Sequence, residues 1–190
     1  MIDFDRVCFS YGDREVFSDL TFHVAPGERV AIQGESGCGK TTLLRLLMGL
    51  ERPQSGTVTV RAERLSALFQ EDRLLPYLTV AQNCALFASD RSMVRPMLRE
   101  LGLEEAAELL PSALSGGMAR RTALARMLCR DAALYLLDEP FNGLDEENAA
   151  RAAALVKRIT SGKTLVVVTH HGQEAAALDC RTTWKLGRIV

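Results

Sequence analysis

The segment GESGCGKT, residues 34–41, combines residue types that bind phosphate. It fits the pattern G-x-x-x-x-G-K-[ST], in which glycines let backbone N–H groups turn toward a phosphate, Lys40 adds a positive charge and the Thr41 hydroxyl can ligate Mg²⁺. A strand-like run, RVAIQG, precedes this loop, and a helical pattern begins at Thr41. Because these flanks are correct, we interpret the segment as a loop for the β- and γ-phosphates of a nucleotide, rather than an accidental glycine-rich turn.

A pair of carboxylates, Asp138 and Glu139, follows the apolar run ALYLL. In open α/β sheets, ligands bind at the carboxyl ends of strands. Asp138 is suited to hold Mg²⁺, commonly through water, and Glu139 can face the γ-phosphate and position or deprotonate a water molecule. The alternative is a solvated acidic turn before Pro140, which the phosphate loop makes the weaker interpretation.

Three more side chains are candidates because of their places along the chain. His170 ends the strand-like run TLVVVTH and can hydrogen-bond a γ-phosphate, whereas we expect His171, which points another way, and His23 to be structural. Gln70 closes the run LSALFQ and can contact Mg²⁺ or the attacking water. Tyr11 can stack on adenine. The alternatives for the last two are a surface amide and a half-buried packing residue.

The segment LSGGMARR begins at Leu114 and places Ser115, Gly116 and Gly117 directly before a helical pattern. A helix N-terminus exposes unpaired N–H groups and the positive end of the helix dipole, so it favours an anion. Ser115 can simply cap the helix, but two consecutive glycines also allow close backbone approach to a ligand. Since the phosphate loop already holds one side of a nucleotide, we infer a head-to-tail dimer in which this second end closes over ATP.

These candidates are distributed over an α/β pattern interrupted by helices. The predicted nucleotide-binding core comprises residues 1–70 and 130–190, and the helical lobe comprises residues 71–129. Near-continuous apolar runs favour parallel strands that are covered on both faces. The predicted strands lie in IDFDRVCFSY, FSDLTFHV, RVAIQG, SGTVTV, LSALFQ, AALYLLDEP, TLVVVTHH and TTWKLGRIV. One predicted helix begins at Thr41, and the others lie in TVAQNCALFA, SMVRPMLRELGL, EEAAELL, the segment after LSGG and DEENAARAAALVKRIT.

Composition limits the classes of partner. With 190 residues, of which 47% are hydrophobic, the chain is long enough for one domain with a sizeable core. The net charge of −1 gives no general attraction to nucleic acid or anionic membrane. The five cysteines form no CxxC pair, which favours reduced thiols in a cytosolic compartment. No apolar stretch approaches the roughly 18 residues that span a bilayer, so any membrane contact requires a partner protein.

Together these motifs resemble the ATP-binding subunits of ABC transporters, across essentially the whole chain. The resemblance rests on Tyr11 as the adenine platform, GESGCGKTT as Walker A, LFQED as the Q-loop, LSGGM as the signature, LYLLDEP as Walker B, FNGLD as the D-loop and VTHH as the H-switch. It implies an α/β fold with a P-loop NTPase core, a mostly parallel central sheet, an N-terminal antiparallel β region and an inserted α-helical subdomain.

The resemblance also implies roles for individual residues. Catalysis would involve Glu139 as the base, His170 as the γ-phosphate sensor and Gln70, with Mg²⁺ held by Thr41, Gln70 and Asp138. The nucleotide-binding set is Tyr11, Gly34, Glu35, Ser36, Gly37, Cys38, Gly39, Lys40, Thr41 and Thr42, joined across a dimer by Ser115, Gly116, Gly117 and Asp145.

The partners implied by the resemblance are a second copy of the chain and transmembrane permease subunits that dock near the Q-loop and the helical lobe. A solute-binding protein would act indirectly. The expected function is to power transport by ATP hydrolysis from the cytoplasmic face of the inner membrane. The stretch FQEDRLLPYLTVAQN resembles the Q-loop region of the ATP-binding subunits of importers for nitrate, sulfonate, taurine and related small solutes.

The sequence departs from the family pattern at several places. Met118 stands where the signature commonly has glutamine, and His171 replaces a common acidic residue. The link between TVTV and LSALFQ is short, and the sequence ends after GRIV, so we expect a minimal version without a regulatory domain. Because no departure removes a catalytic group, we expect hydrolysis to be intact.

Two other classes of function fit parts of the pattern. A soluble ABC ATPase that acts as a clamp or assembly factor usually brings tandem domains, a coiled coil or a basic surface, none of which the sequence shows. A small-molecule kinase with a phosphate loop needs an acceptor-binding lid and has no use for LSGG.

Overall fold

The computed structural model describes residues 1–187, which form eight strands and six helices. The strands are β1 (Ile2–Tyr11), β2 (Arg14–Val24), β3 (Arg29–Gln33), β4 (Ser55–Val60), β5 (Leu65–Leu68), β6 (Leu134–Asp138), β7 (Thr164–Val168) and β8 (Thr182–Lys185). The helices are α1 (Lys40–Leu47), α2 (Val80–Ala85), α3 (Val94–Glu100), α4 (Gly116–Leu128), α5 (Glu146–Ile159) and α6 (Gly172–Ala177), with short 3-10 turns at Arg91–Met93 and Pro111–Ala113.

Five strands form a parallel sheet in the order β5-β6-β7-β3-β8. Every residue of β6 and β7 is buried, as their continuous apolar sequences require of strands covered on both faces. In the register, Asp138 lies opposite Val168, which lies opposite Ile32. The segments that follow these strands therefore leave the sheet at one edge, and the phosphate loop, Glu139 and His170 meet there.

The other three strands form an antiparallel sheet in the order β2-β1-β4. Alternation of apolar and polar residues turns Phe4, Phe9, Phe17 and Phe22 inward. Together with the apolar face of α1 they pack on one face of the parallel sheet. The opposite face, with Tyr135 and other buried side chains, packs against α4, α5 and the helices that precede α4. The fold class predicted from the sequence is confirmed.

Most predicted elements are present, but EEAAELL is not a helix. Residues 104–110 form turns, because the carbonyl groups of Ala107 and Leu109 accept hydrogen bonds from the backbone N–H groups of Ala81 and Val80, at the start of α2. These carbonyls are thus unable to continue a helical ladder. The last predicted strand forms over Thr182–Lys185, and its end at 188–190 lies outside the described residues. Within residues 1–187, every helix falls short of the length and apolar character needed to cross a membrane.

Candidate functional site

The phosphate loop joins β3 to α1 in a conformation that only glycine permits at two positions. Gly37 and Gly39 have φ values of 80° and 100°, which L side chains rarely adopt. A Cβ atom at Gly39 would lie 2.7 Å from Val16 Cγ1 and 2.9 Å from the Phe17 ring. The packing of β2 against the loop therefore fixes the glycine that precedes α1, and with it the direction of the N-terminal N–H groups of this helix.

Lys40 is held against the loop that it follows. Its Nζ donates hydrogen bonds to the carbonyl oxygens of Gly34, at 2.7 Å, and Glu35, at 2.8 Å. The ammonium group therefore lies at the same place as the convergent N–H groups of the loop. A positive charge and a set of oriented N–H donors are the two features that bind a polyphosphate.

Most of the predicted site residues line one cavity of about 640 Å³ at the carboxyl edge of the parallel sheet. Its walls are Tyr11, Arg14, Val16, Gly34, Glu35, Ser36, Gly37, Gly39, Lys40, Thr41, Thr42, Gln70, Asp138, Glu139 and His170. The remaining residue of the loop, Cys38, is buried behind the wall, and its sulfur lies beside Gly34. The structure thus brings the phosphate loop, the carboxylate pair, Gln70 and His170 to one place.

The rim of this cavity carries Tyr11 and Arg14. Tyr11 is 42% exposed, and its ring lies nearly perpendicular to that of Phe9, with 4.9 Å between ring centroids. Arg14 donates a hydrogen bond to the Gly37 carbonyl at 3.3 Å. No pattern in the sequence singles out Arg14, because a basic residue beside the β1–β2 turn is common on protein surfaces.

Asp138 has an unusual electrostatic environment. Burial, and then the neighbouring charge of Glu139, raise the pKa of the Asp138 carboxyl to about 6, although Arg120, Lys40 and a hydrogen bond from Thr41 act in the opposite direction. A cation bound by this carboxylate would offset the unfavourable free energy of burying its negative charge. The donors here are a carboxylate, the Thr41 hydroxyl and the Gln70 amide, and oxygen ligands completed by water are what Mg²⁺ prefers.

The three candidate ligands of Mg²⁺ are of different chemical kinds. The described residues contain no cluster of three His, Cys, Asp or Glu side chains placed to hold a metal ion. A site with one carboxylate, one hydroxyl and one amide suits an ion that is also held by the phosphate oxygens of its nucleotide. The residues present therefore fit Mg²⁺ brought with a nucleotide better than a permanently bound metal.

Glu139 lies at a turn just after β6 and is paired with His170. Its Oε1 is 3.3 Å from His170 Nδ1, and its Oε2 accepts a hydrogen bond of 3.5 Å from Asn142 Nδ2. The Glu139 side chain is 18% exposed and the His170 side chain 51% exposed. The His171 ring contacts His170, with 3.8 Å between centroids, but faces the adjoining cavity instead of the phosphate loop. Of the two histidines, His170 is the one that reaches the nucleotide cavity.

The signature segment lies outside this cavity. Ser115 caps α4, and its Oγ accepts a hydrogen bond from Met118 N at 3.2 Å. None of Ser115, Gly116 and Gly117 is among the residues that line the cavity. Asp145 is likewise absent from it and caps α5, where its carboxylate accepts two hydrogen bonds of 2.8 Å from Asn148. One copy of the chain therefore does not bring these residues to the phosphate loop.

The methionine at position 118, where the signature commonly has glutamine, fits its apolar surroundings. Its side chain is partly buried against the hydrophobic core of the helical segment, and its backbone carbonyl accepts a hydrogen bond of 2.8 Å from Thr122 Oγ1. A thioether is suited to such an irregular apolar contact.

Arg120 is the second residue near the site that the sequence interpretation missed. Its side chain is only 5% exposed, and it donates hydrogen bonds to the backbone carbonyls of Asp138, Glu139 and Gln70. The available signal was helical spacing, because Arg120 shares a face of α4 with the inward-facing Leu124 and Met127. An arginine on an apolar face requires acceptors inside the protein.

Comparison with known proteins agrees with this geometry. The model of the ABC transporter family matches residues 17–142. The aliphatic sulfonates import ATP-binding protein SsuB of Delftia acidovorans is 44% identical over 180 residues, covering 90% of this chain and 74% of that protein. SsuB 3 of Paraburkholderia xenovorans is 44% identical over 186 residues, covering 95% and 75%.

Two similar solved structures are dimers. The dimeric structure of MJ0796, a bacterial ABC transporter cassette, has a TM-score of 0.83 at 28% identity and covers 93% of this chain and 91% of that one. The dimeric post-hydrolysis state of MJ0796 bound to ADP and Pi has a TM-score of 0.86 at 26% identity and covers 99% and 95%. Similarity to these cassettes extends over nearly the entire chain, including the signature segment.

Proposed function

The chain belongs to the ABC transporter family, and on that premise we propose that it is the ATP-hydrolysing subunit of a bacterial importer of small organic anions such as aliphatic sulfonates. The observation that carries the proposal is the single cavity that holds the phosphate loop, Asp138, Glu139, Gln70 and His170. The sulfonate class comes from the names of the similar import proteins.

The proposed nucleotide contacts follow from the donors in the cavity. Lys40 and the N–H groups of the loop bind the β- and γ-phosphates, and Tyr11 stacks on the adenine. Thr41, Asp138 and Gln70 hold Mg²⁺, which when bound neutralises charge on the phosphates. Arg14 lies at the same rim and adds a positive charge near the loop.

The proposed chemistry is attack of water on the γ-phosphate with Glu139 as the base, which breaks the bond between the γ-phosphorus and the bridging oxygen and releases ADP and phosphate. Its carboxylate lies between His170 and Asn142, so its direction is set by two polar neighbours. Glu139 accepts the proton of the attacking water, and His170 contacts the γ-phosphate. Gln70, at the entrance to the helical segment, orients the same water.

We further propose that a second copy completes the site. Ser115, Gly116 and Gly117 form the N-terminus of a helix of 13 residues but do not face the cavity of their own chain. Placed against the γ-phosphate that Lys40 of another copy holds, their N–H groups would supply the missing anion contacts. Asp145 would lie at the same interface. The dimeric state of the similar cassettes supports this arrangement.

A groove beside the Q-loop is the proposed docking place for the permease. It has a volume of about 310 Å³ and is lined by Leu44 of α1, by Met48 just after this helix, and by Phe69 and Gln70. The adjoining segment exposes 90% of Tyr77. In this proposal residues 71–129 act as one lobe, the permease holds the chain at the cytoplasmic face of the inner membrane, and a solute-binding protein acts through the permease.

The experiment that tests the proposal is the solution mass of the Glu139→Gln chain, measured by light scattering with and without ATP and Mg²⁺. A glutamine keeps the size of the side chain but removes the base, so we expect turnover to fall by about 100-fold or more. Bound ATP should then persist and convert the monomer to a dimer. Glu147→Gln is a matched control, because its side chain is 82% exposed and is not among the residues that line the cavity.

Two results would contradict the proposal. Wild-type turnover in the Glu139→Gln chain would remove Glu139 from the proposed role. A chain that binds ATP but remains a monomer, both alone and together with its co-purified permease, would contradict completion of the site by a second copy.

A further inference from the structure

Arg120 is the one buried cation among the residues that the structure describes. A guanidinium group stays charged in proteins and carries five N–H donors, so its burial requires several well-placed acceptors. It lies in the second turn of α4, the helix that Ser115 caps. The oxygen atoms that accept its hydrogen bonds all belong to segments that contain or adjoin the proposed catalytic groups.

Two segments supply these acceptors. On one side, Nη2 donates to the carbonyl oxygens of Asp138, at 2.6 Å, and Glu139, at 2.7 Å, while Nε donates to that of Pro140, at 3.2 Å. On the other side, Nη1 donates to the carbonyl oxygens of Phe69 and Gln70, at 2.7 and 3.2 Å, and to Asp72 Oδ1, at 3.0 Å. One side chain of α4 thus joins the turn of Glu139 to the segment of Gln70.

The turn that Arg120 binds is strained. Glu139 has a φ of 44°, in the left-handed region that residues other than glycine rarely occupy. This backbone conformation turns three successive carbonyl groups, from Asp138 to Pro140, toward one guanidinium. Without that cation the three oxygens would lose their buried donor, and the turn would have less reason to keep its shape.

We propose that Arg120 is a positioning residue, which holds the left-handed turn at Glu139 and thereby sets the direction of the Glu139 carboxylate toward the attacking water. This inference rests on the proposed role of Glu139. It assigns Arg120 no contact with ATP, since Arg120 is not among the residues that line the nucleotide cavity. The reaction step should therefore depend on Arg120 more than nucleotide binding does.

The chain offers a matched control in Arg126, on the same helix. Its Nη1 and Nη2 donate hydrogen bonds of 2.7 and 2.6 Å to the carbonyl oxygens of Arg73 and Asp72. Arg126 is partly buried, and this burial lowers the pKa of its side chain. Arg126 therefore also fastens the Q-loop segment to α4, but it makes no hydrogen bond to residues 138–140.

The test compares Arg120→Lys with Arg126→Lys in kcat, KM for ATP, equilibrium ATP affinity and Tm. Lysine keeps the charge but cannot present a planar fork to two segments. For Arg120→Lys we expect kcat to fall by about 100-fold, with ATP affinity and KM nearly unchanged. For Arg126→Lys we expect a similar decrease in Tm and a kcat close to that of the wild type.

Chemical rescue provides a second readout. In the Arg120→Ala chain, millimolar guanidinium chloride should restore part of the lost kcat, whereas sodium chloride and urea at the same concentration should not. Arg126→Ala should show no such rescue. If Arg120→Ala does not fold, the lysine variants decide the question.

Several results would overturn the inference. They are a wild-type kcat in Arg120→Lys, an equal loss of kcat in the two lysine variants, or a folded Arg120→Ala chain that guanidinium does not activate. Failure of the proposed function gives a different result, because in that case the wild-type chain itself would not hydrolyse ATP.

Discussion

The phosphate loop and the segment Ser115–Gly117 are both rich in glycine and both lead into a helix, but their glycines have different causes. In the loop, Gly39 has a φ of 100°, and a side chain there would collide with Val16 and Phe17. In the other segment, Gly116 has no positive φ, and a Cβ atom there would meet nothing within 4 Å beyond its own helical backbone and chain neighbours. The packing of the chain therefore requires the first glycine and leaves the second unexplained.

In the proposed dimer, this difference separates a site that one chain completes from a site that a second copy completes. Groups that act within the chain are held by its own contacts, as Lys40 is by the carbonyls of Gly34 and Glu35. Ser115 is satisfied within its own chain, where it caps α4 and lies outside the cavity, although in the proposed dimer it contacts the nucleotide of the other copy. Substitutions in the two regions should accordingly affect different measurements.

The largest expected effect separates binding from turnover. Ser115→Arg should lower ATP turnover by about 1000-fold, because the long side chain blocks the close approach of the α4 N-terminus to a phosphate and keeps its N–H donors out of reach. ATP affinity of the isolated chain should be nearly unchanged. Lys40→Met should instead weaken ATP binding by about 100-fold, through loss of charge-assisted hydrogen bonds. Equilibrium binding and steady-state hydrolysis measure the two effects.

A mixture of these two inactive variants serves as the control. In a heterodimer, the intact Lys40 of one copy meets the intact Ser115 of the other, so hydrolysis should recover well above that of either variant alone. Loss of ATP affinity in Ser115→Arg would place Ser115 in the site of its own chain and end the distinction between the two regions.

A smaller effect compares two glycine-to-alanine changes. Gly39→Ala should lower the free energy of unfolding by about 2–4 kcal/mol, because it combines a left-handed backbone with a collision against buried side chains. Gly116→Ala should leave stability unchanged or raise it by up to about 1 kcal/mol, since alanine favours a helix. It should still reduce turnover, because the methyl group would face the second copy. Urea denaturation and hydrolysis assays measure these outcomes.

Equal losses of stability in the two alanine variants would contradict the distinction. They would mean that packing within the chain also requires Gly116.

The smallest expected effect concerns the cap of α5. Hydrogen bonds from Asn148 hold the pKa of the Asp145 carboxyl below its ordinary value. The charged form therefore stabilises the folded chain at neutral pH, and this contribution is lost as the pH falls through the lowered pKa. Asp145→Ala should lower Tm by about 3 °C at neutral pH. The difference from the wild type should narrow in strongly acidic solution, as calorimetry across pH would show; a constant difference would exclude the charge as its source.

Much of the site could be predicted because its parts are local in sequence. The phosphate loop is recognisable from its glycine spacing and Lys40, and β6 and β7 from the apolar runs that end at Asp138 and Val168. The geometry of each of these short segments depends mainly on residues close to it in sequence. The predicted helix at 104–110 was wrong because residues distant in sequence bind its carbonyl groups. The backbone N–H groups of Val80 and Ala81 donate hydrogen bonds to carbonyls that would otherwise accept from within the helix. Helix propensity is a property of the local sequence, so it does not show when a distant segment competes for the backbone hydrogen bonds of a helix.

The sequence by itself predicted the phosphate loop, the carboxylate pair and the order of the eight strands, since these follow from residue type and spacing; it wrongly predicted a helix at 104–110 and did not predict α6. Only the tertiary structure decided that Arg120 reaches six acceptors in two segments and that Glu139 adopts a left-handed turn. It also decided that Ser115 lies away from the cavity of its own chain. The physical reason is that burial and hydrogen-bond partners are set by segments far apart in sequence, which meet only when the sheet and helices pack.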